Sequence, residues 1–167
     1  MTMTRIYLPA TFATLTTLHN SGEVSASGAH AVTPTLRQSY EELGEEDLEY
    51  VAFRSAATAA FGRLADDADS VSRRVVISAD VPERAVKVET GAEDGSTVSL
   101  AETVTSDRVA AIHVDGEEAA DVVAAAVTAL ASAAQDPASA EKALEEADDF
   151  ELEWYDPTEL PQLVEQA

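Results

Sequence analysis

The sequence predicts a two-layer α+β domain, with helices packed on a mixed or mostly antiparallel sheet of about five to seven strands. Three observations lead there. Strand-like and helix-like segments are interleaved along the chain. Four strand patterns follow one another between residues 73 and 115, which a strictly alternating βα fold would not allow. The chain has 167 residues and is 46% apolar, enough to build a core in one domain spanning residues 1–167.

The elements follow in order. "RIYLPA" (5–10) is a short apolar strand, which Pro9 is expected to end because proline lacks the N–H of a ladder. "TFATLTTLHNSG" is helical, with Phe12, Leu15 and Leu18 on one face, Thr11 as N-cap and Gly22 as stop. "AHAVTP" (29–34) is a second strand. Thr33 then caps a helix over 34–43 with Pro34 at its first position. Residues 45–65 form the longest helix, with acids in the first turn where they complement the dipole. Tyr50, Phe53, Ala57, Phe61 and Leu64 draw its apolar stripe, widened by Leu48, Val51, Ala52, Ala56 and Ala59.

"RRVVISADVP" (73–82) is the clearest strand, with Val75, Ile77, Ala79 and Val81 on one face and Val76 on the other. "AVKVET" and "TVSLAETV" continue the strand block, with a turn pivoting on Asp94-Gly95 between them. "RVAAIHVD" is apolar on both faces at its start and is expected inside the sheet. An Ala-rich helix from Glu117 to Ala134 follows, and Asp136-Pro137 starts another that runs to about Ala147. "FELEWY" (150–155) alternates as a half-buried strand, with Phe150, Leu152 and Trp154 assigned to the core face and Tyr155 outward. A short helix, "TELPQLVEQ", closes the chain. Asp156 and Thr158 compete to cap it.

Charge narrows the function classes. The formal net charge is −22, from 32 acids and 10 bases. Residues 115–167 hold 15 of the acids against a single base, Lys142. Such a field repels nucleic acid and anionic membranes, and favours a basic protein partner or divalent cations if the surface binds anything. The simpler account is a solvated acidic surface. No apolar run of membrane-spanning length and no export signal is found, so the cytoplasm is the expected setting. No cysteine is present, which excludes disulfides, thiol catalysis and thiolate metal sites. Unpaired strand edges leave room for a homodimer.

Catalytic signatures are absent. The chain has no G-x-S-x-G elbow, no S-x-x-K and no glycine-rich phosphate loop, so no cofactor is expected. His19, His30 and His113 match no metal-ligand spacing, so no metal is expected. His113, at the end of "AAIHVD", is the candidate catalytic residue, because histidine is the commonest general base. The acids after it fit a helix start: Asp115 as N-cap, Glu118 reaching back in a capping box, and Glu117 and Asp121 near the dipole's positive end. Arginines are scarce enough to be informative. Arg37 and Arg54 are the candidate ligand-binding residues, each able to hold an anion, with an internal salt bridge as the simpler role.

The ordered set "RIYLPAT", "AVTPTLRQSY", "LEYVAF", "RRVVISADVP", "VAAIHVD" and "LEWYDPTEL" resembles an uncharacterised family of short acidic actinobacterial proteins. The resemblance covers most of the chain. It implies a bacterial cytoplasmic setting and brings no substrate, cofactor or catalytic residue. The sequence is therefore read as a small interaction or regulatory protein without catalytic activity. The alternative is a small enzyme or an anion- or small-molecule-binding domain that uses His113 with Arg37 or Arg54.

Overall fold

The computed structural model describes residues 2–25, 28–67, 69–89 and 95–167. The order is β1 (Met3–Ala10), α1 (Phe12–Ser21), β2 (Glu23–Val24), β3 (Ala29–Ala31), α2 (Pro34–Ser39), α3 (Glu45–Asp66), β4 (Val75–Pro82), β5 (Val86–Val88), β6 (Thr97–Leu100), β7 (Val104–Thr105), β8 (Val109–Asp115), α4 (Ala120–Ala131), α5 (Pro137–Asp148), β9 (Leu152–Tyr155) and α6 (Leu160–Val164). Seven strands form one sheet in the order β5-β6-β3-β1-β4-β8-β9, and each neighbouring pair is antiparallel. β2 and β7 make a separate two-stranded ribbon. The α+β class is as the sequence predicts. Among the described residues no helix is long and apolar enough to cross a membrane.

The sheet is apolar on both faces, so helices cover both and a third layer joins the two expected. Ile6, Leu8, Val75, Ile77, Ile112 and Val114 pack with Phe12, Leu15 and Leu18 of α1 and with Leu160 and Leu163 of α6. Tyr7 and Val76 point the other way, into Leu48, Ala52, Ala56 and Ala57 of α3. A third cluster joins the far end of α3, through Phe61 and Leu64, to Val123 and Ala126 of α4 and Ala147 of α5. This double cover explains why β1 and β4 carry apolar side chains at successive positions rather than alternating with polar ones.

Local chemistry sets the helix ends. Thr11 and Thr14 cap α1 reciprocally, and Thr33 accepts from the Leu36 N–H with Pro34 in the first turn of α2. α1 stops at Gly22, whose φ of 77° lies in the left-handed region. A Cβ there would meet nothing within 4 Å, so the cost of Gly22→Ala is purely conformational. It should destabilise the protein by about 1–2 kcal/mol in urea unfolding, and an unchanged midpoint would contradict this account of the stop.

Several expectations change. Pro9 stays inside β1, opposite Val76, because β3 pairs β1 only at Ile6 and Tyr7 and leaves no partner for an N–H on that side. α2 ends at Ser39, short of residue 43. The stripe of α3 is Leu48, Ala52, Ala56, Ala60 and Leu64, with Ala57 and Phe61, and Tyr50 lies outside it at 53% exposed. Small residues face the sheet because they let the helix approach closely, and the larger Tyr50 is turned aside. Trp154 is 60% exposed, whereas Tyr155 packs against the α1–α6 core. The Asp94-Gly95 pivot falls partly on residues 90–94, outside the described residues.

Candidate functional site

β8 runs between β4 and β9, which sets His113 opposite Val76 on one side and Trp154 on the other. α3 crosses above, and Phe53 meets the imidazole edge-to-face, 4.7 Å between ring centres. Phe53 also contacts Tyr7 at 6.1 Å and stacks with Tyr50 at 6.2 Å. Between α3 and the β8–β9 end of the sheet these rings leave a groove of about 360 Å³, with His113 on its floor and Trp154 at its rim. Tyr50, Glu46 and Glu49 line it from α3, and Arg5, Tyr7 and Ser78 from the sheet.

Two polar pairs occupy the floor. Ser78 Oγ and His113 Nε2 are 2.8 Å apart and hydrogen-bonded. Arg5 donates through Nε and Nη2 to both carboxylate oxygens of Asp80, its cross-strand partner, at 2.7 and 3.1 Å. Burial, followed by the charge of Arg5, pushes the His113 imidazole down from 6.5 to about 4, so it is neutral near pH 7. Burial and then Glu49 push the Tyr7 phenol up to about 12, so it too is neutral. Glu46 and Glu49 make no hydrogen bond or close ion pair among the described residues, although the charge of Glu49 is felt by both Arg5 and Tyr7.

The arginines named from the sequence stand elsewhere. Arg37 makes a bidentate pair with Glu45 at the start of α3, at 2.6 and 2.9 Å, with both side chains about half exposed. Arg54 pairs with Asp148 at 3.2 Å and lines a separate cavity of about 520 Å³ with His30 and Thr97. The structure does not bring either to His113. The arginine that shares its groove is Arg5. It sits at the start of the first strand, and only the β1-β4-β8 register places it there. Among the described residues no group of three or more histidine and acidic side chains is placed to hold a metal ion.

Of the acids after His113, Glu117, Glu118 and Asp121 do lie in the first turns that lead into α4, but Asp115 needs a different explanation from the helix start. Asp115 is wholly buried, and its carboxylate accepts from Arg74: the backbone N–H at 2.8 Å, Nε at 2.9 Å and Nη2 at 3.0 Å. It caps nothing. A 3₁₀ turn over Glu117–Ala119 begins at Gly116, without a side-chain cap, and leads into α4. Arg74 also donates to Asp148 Oδ1 at 2.7 Å and to the carbonyls of Ala147 and Phe150, with its guanidinium 4.8 Å from the centre of the Phe61 ring. Asp156, not Thr158, provides the later cap, in a box with Glu159.

Residues 4–164 match the model of a family of unknown function (DUF6912). The chain belongs to this family. Membership spans nearly every element of the fold, from β1 to α6, including all the residues of the groove. No curated protein and no solved structure matches the chain.

Proposed function

We propose that this member of the family is a non-catalytic recognition protein that receives its partner in the α3–β9 groove. One observation carries the reading: Trp154 and Tyr50, two of the largest side chains, stand more than half exposed on a groove where His113 is bonded to Ser78 and Arg5 to Asp80. Aromatic residues left exposed at a concave surface are what recognition sites use, because they supply large contact area at little entropic cost.

Catalysis is less well supported. Ser78 is 2% exposed in the middle of β4, and its hydroxyl is held by His113. A nucleophile must reach an electrophilic carbon, and a base with a pKa of about 4 has little driving force to take a proton near pH 7. Anion binding is disfavoured by Glu46 and Glu49 and by the engagement of Arg5 with Asp80. The setting we propose is the bacterial cytoplasm; the Ala-rich composition and the 8 arginines against 2 lysines support the bacterial source only.

The test is comparative capture. Wild type and Trp154→Ala are used as baits in native lysate at moderate salt. A defined partner recovered by the wild type and lost with the variant is the expected result. Identical recoveries from the two baits would remove the groove from the account.

A further inference from the structure

Resting on that reading of the groove, we propose that its occupant is an extended basic peptide segment, with a lysine or arginine side chain seated among Trp154, Tyr50, Glu46 and Glu49. The local charge is lopsided. Arg5 is held at close range by Asp80, and although the charge of Glu49 also feels Arg5, neither Glu46 nor Glu49 has a hydrogen-bonded or ion-paired cation among the described residues, and both lie beside aromatic rings. Carboxylates at the mouth supply the Coulombic attraction, and ring faces bind the cation through their quadrupoles. An anionic or purely apolar occupant would desolvate Glu46 and Glu49 with nothing in return.

The neighbouring strand argues for a peptide over a free amine. β9 is the last strand of the sheet, so among the described residues its outer edge pairs with no other strand. Trp154 lies on this strand and lines the groove, so one ligand can follow the strand edge with its backbone while a side chain enters the groove. Glu151 and Glu153 extend the same sign of charge along the edge. A small amine would engage the mouth of an open groove alone and bury little surface there.

Trp154 is the chain's single tryptophan, so its emission reports directly on the groove. Short lysine- and arginine-containing peptides, length-matched neutral and acidic peptides, and lysine amide are titrated into the full-length protein. The basic peptide should shift the emission saturably, the acidic and neutral peptides should not, and lysine amide should bind at least tenfold more weakly. Glu46→Gln with Glu49→Gln should weaken the basic peptide about tenfold. Glu141→Gln with Glu145→Gln, on α5, changes the net charge equally and should leave its affinity unaltered. Equal weakening by both double variants would reduce the effect to bulk charge and overturn the proposal, as would lysine amide binding as tightly as the peptide. If no basic peptide moves the emission but lysate capture still depends on Trp154, the cationic occupant is wrong and the groove stands. If capture is also indifferent to Trp154, both fail.

Discussion

Asp115→Ala should cost about 3–5 kcal/mol of stability, because it strands the buried Arg74 guanidinium without its main counter-charge. An N-cap aspartate in the same position would cost only about 1 kcal/mol, so the size of the loss separates the two roles. In a chain of this length the larger figure lowers Tm by roughly 10 °C or more. Arg74→Ala should be comparably damaging: it leaves Asp115 buried and removes the guanidinium from Asp148, from two carbonyls and from the face of Phe61. Replacing both partners by apolar residues of similar volume, Arg74→Met with Asp115→Leu, should recover only part of the loss: it removes the stranded charge, but the residue 74 N–H and the carbonyls of Ala147 and Phe150 still lose their partners. Urea unfolding of the single and double variants provides the comparison. A loss of about 1 kcal/mol in Asp115→Ala would show that the pair is not what holds this corner.

His113 should make the protein lose stability as the pH falls from 6.5 to about 4. In the unfolded chain the imidazole takes up a proton near 6.5, whereas in the folded state burial and Arg5 hold it neutral down to about 4. Between those values the unfolded state binds more protons, so stability increases with pH across the window. The contribution is complete above 6.5 and gone below 4, and its size is on the order of 2–3 kcal/mol. Carboxylates titrate at the lower end as well, so the useful quantity is the difference between wild type and His113→Gln. Measured from pH 7.5 to pH 4, that difference should move against the wild type by about this amount. A flat difference would mean that the imidazole is not desolvated, and the floor of the groove would have to be redrawn.

Where local chemistry decides, the sequence was legible. The Thr11 and Thr33 caps, the Gly22 stop, the split of β4 into two apolar faces and the start of α5 at Asp136 all depend on residues within a few positions of one another. Asp115 shows the opposite case. Its spacing to Glu118 satisfies a capping box, but Arg74, 41 residues away, offers a full charge and several donors. Nothing in the local pattern reveals that competitor. Period-two alternation in "FELEWY" groups Leu152 with Trp154 correctly, but it does not reveal that α3 covers Leu152 and leaves Trp154 open at the rim. The groove depends on the same kind of long-range information. Arg5, Ser78, His113 and Trp154 come from four strands, and only the sheet order brings them to one face.

Arg74 also governs when the fold can be completed. Its ionic partners lie 41 and 74 residues further along the chain, and the backbone carbonyls it holds belong to residues 147 and 150. β1 and β4 pair with each other, but the charge at the start of β4 has its counter-ion only at the end of β8 and is enclosed only by the end of α5. Completion of this corner therefore depends on contacts 41 to 76 residues apart in the chain, which ties the β4 strand to α5 in one cooperative unit.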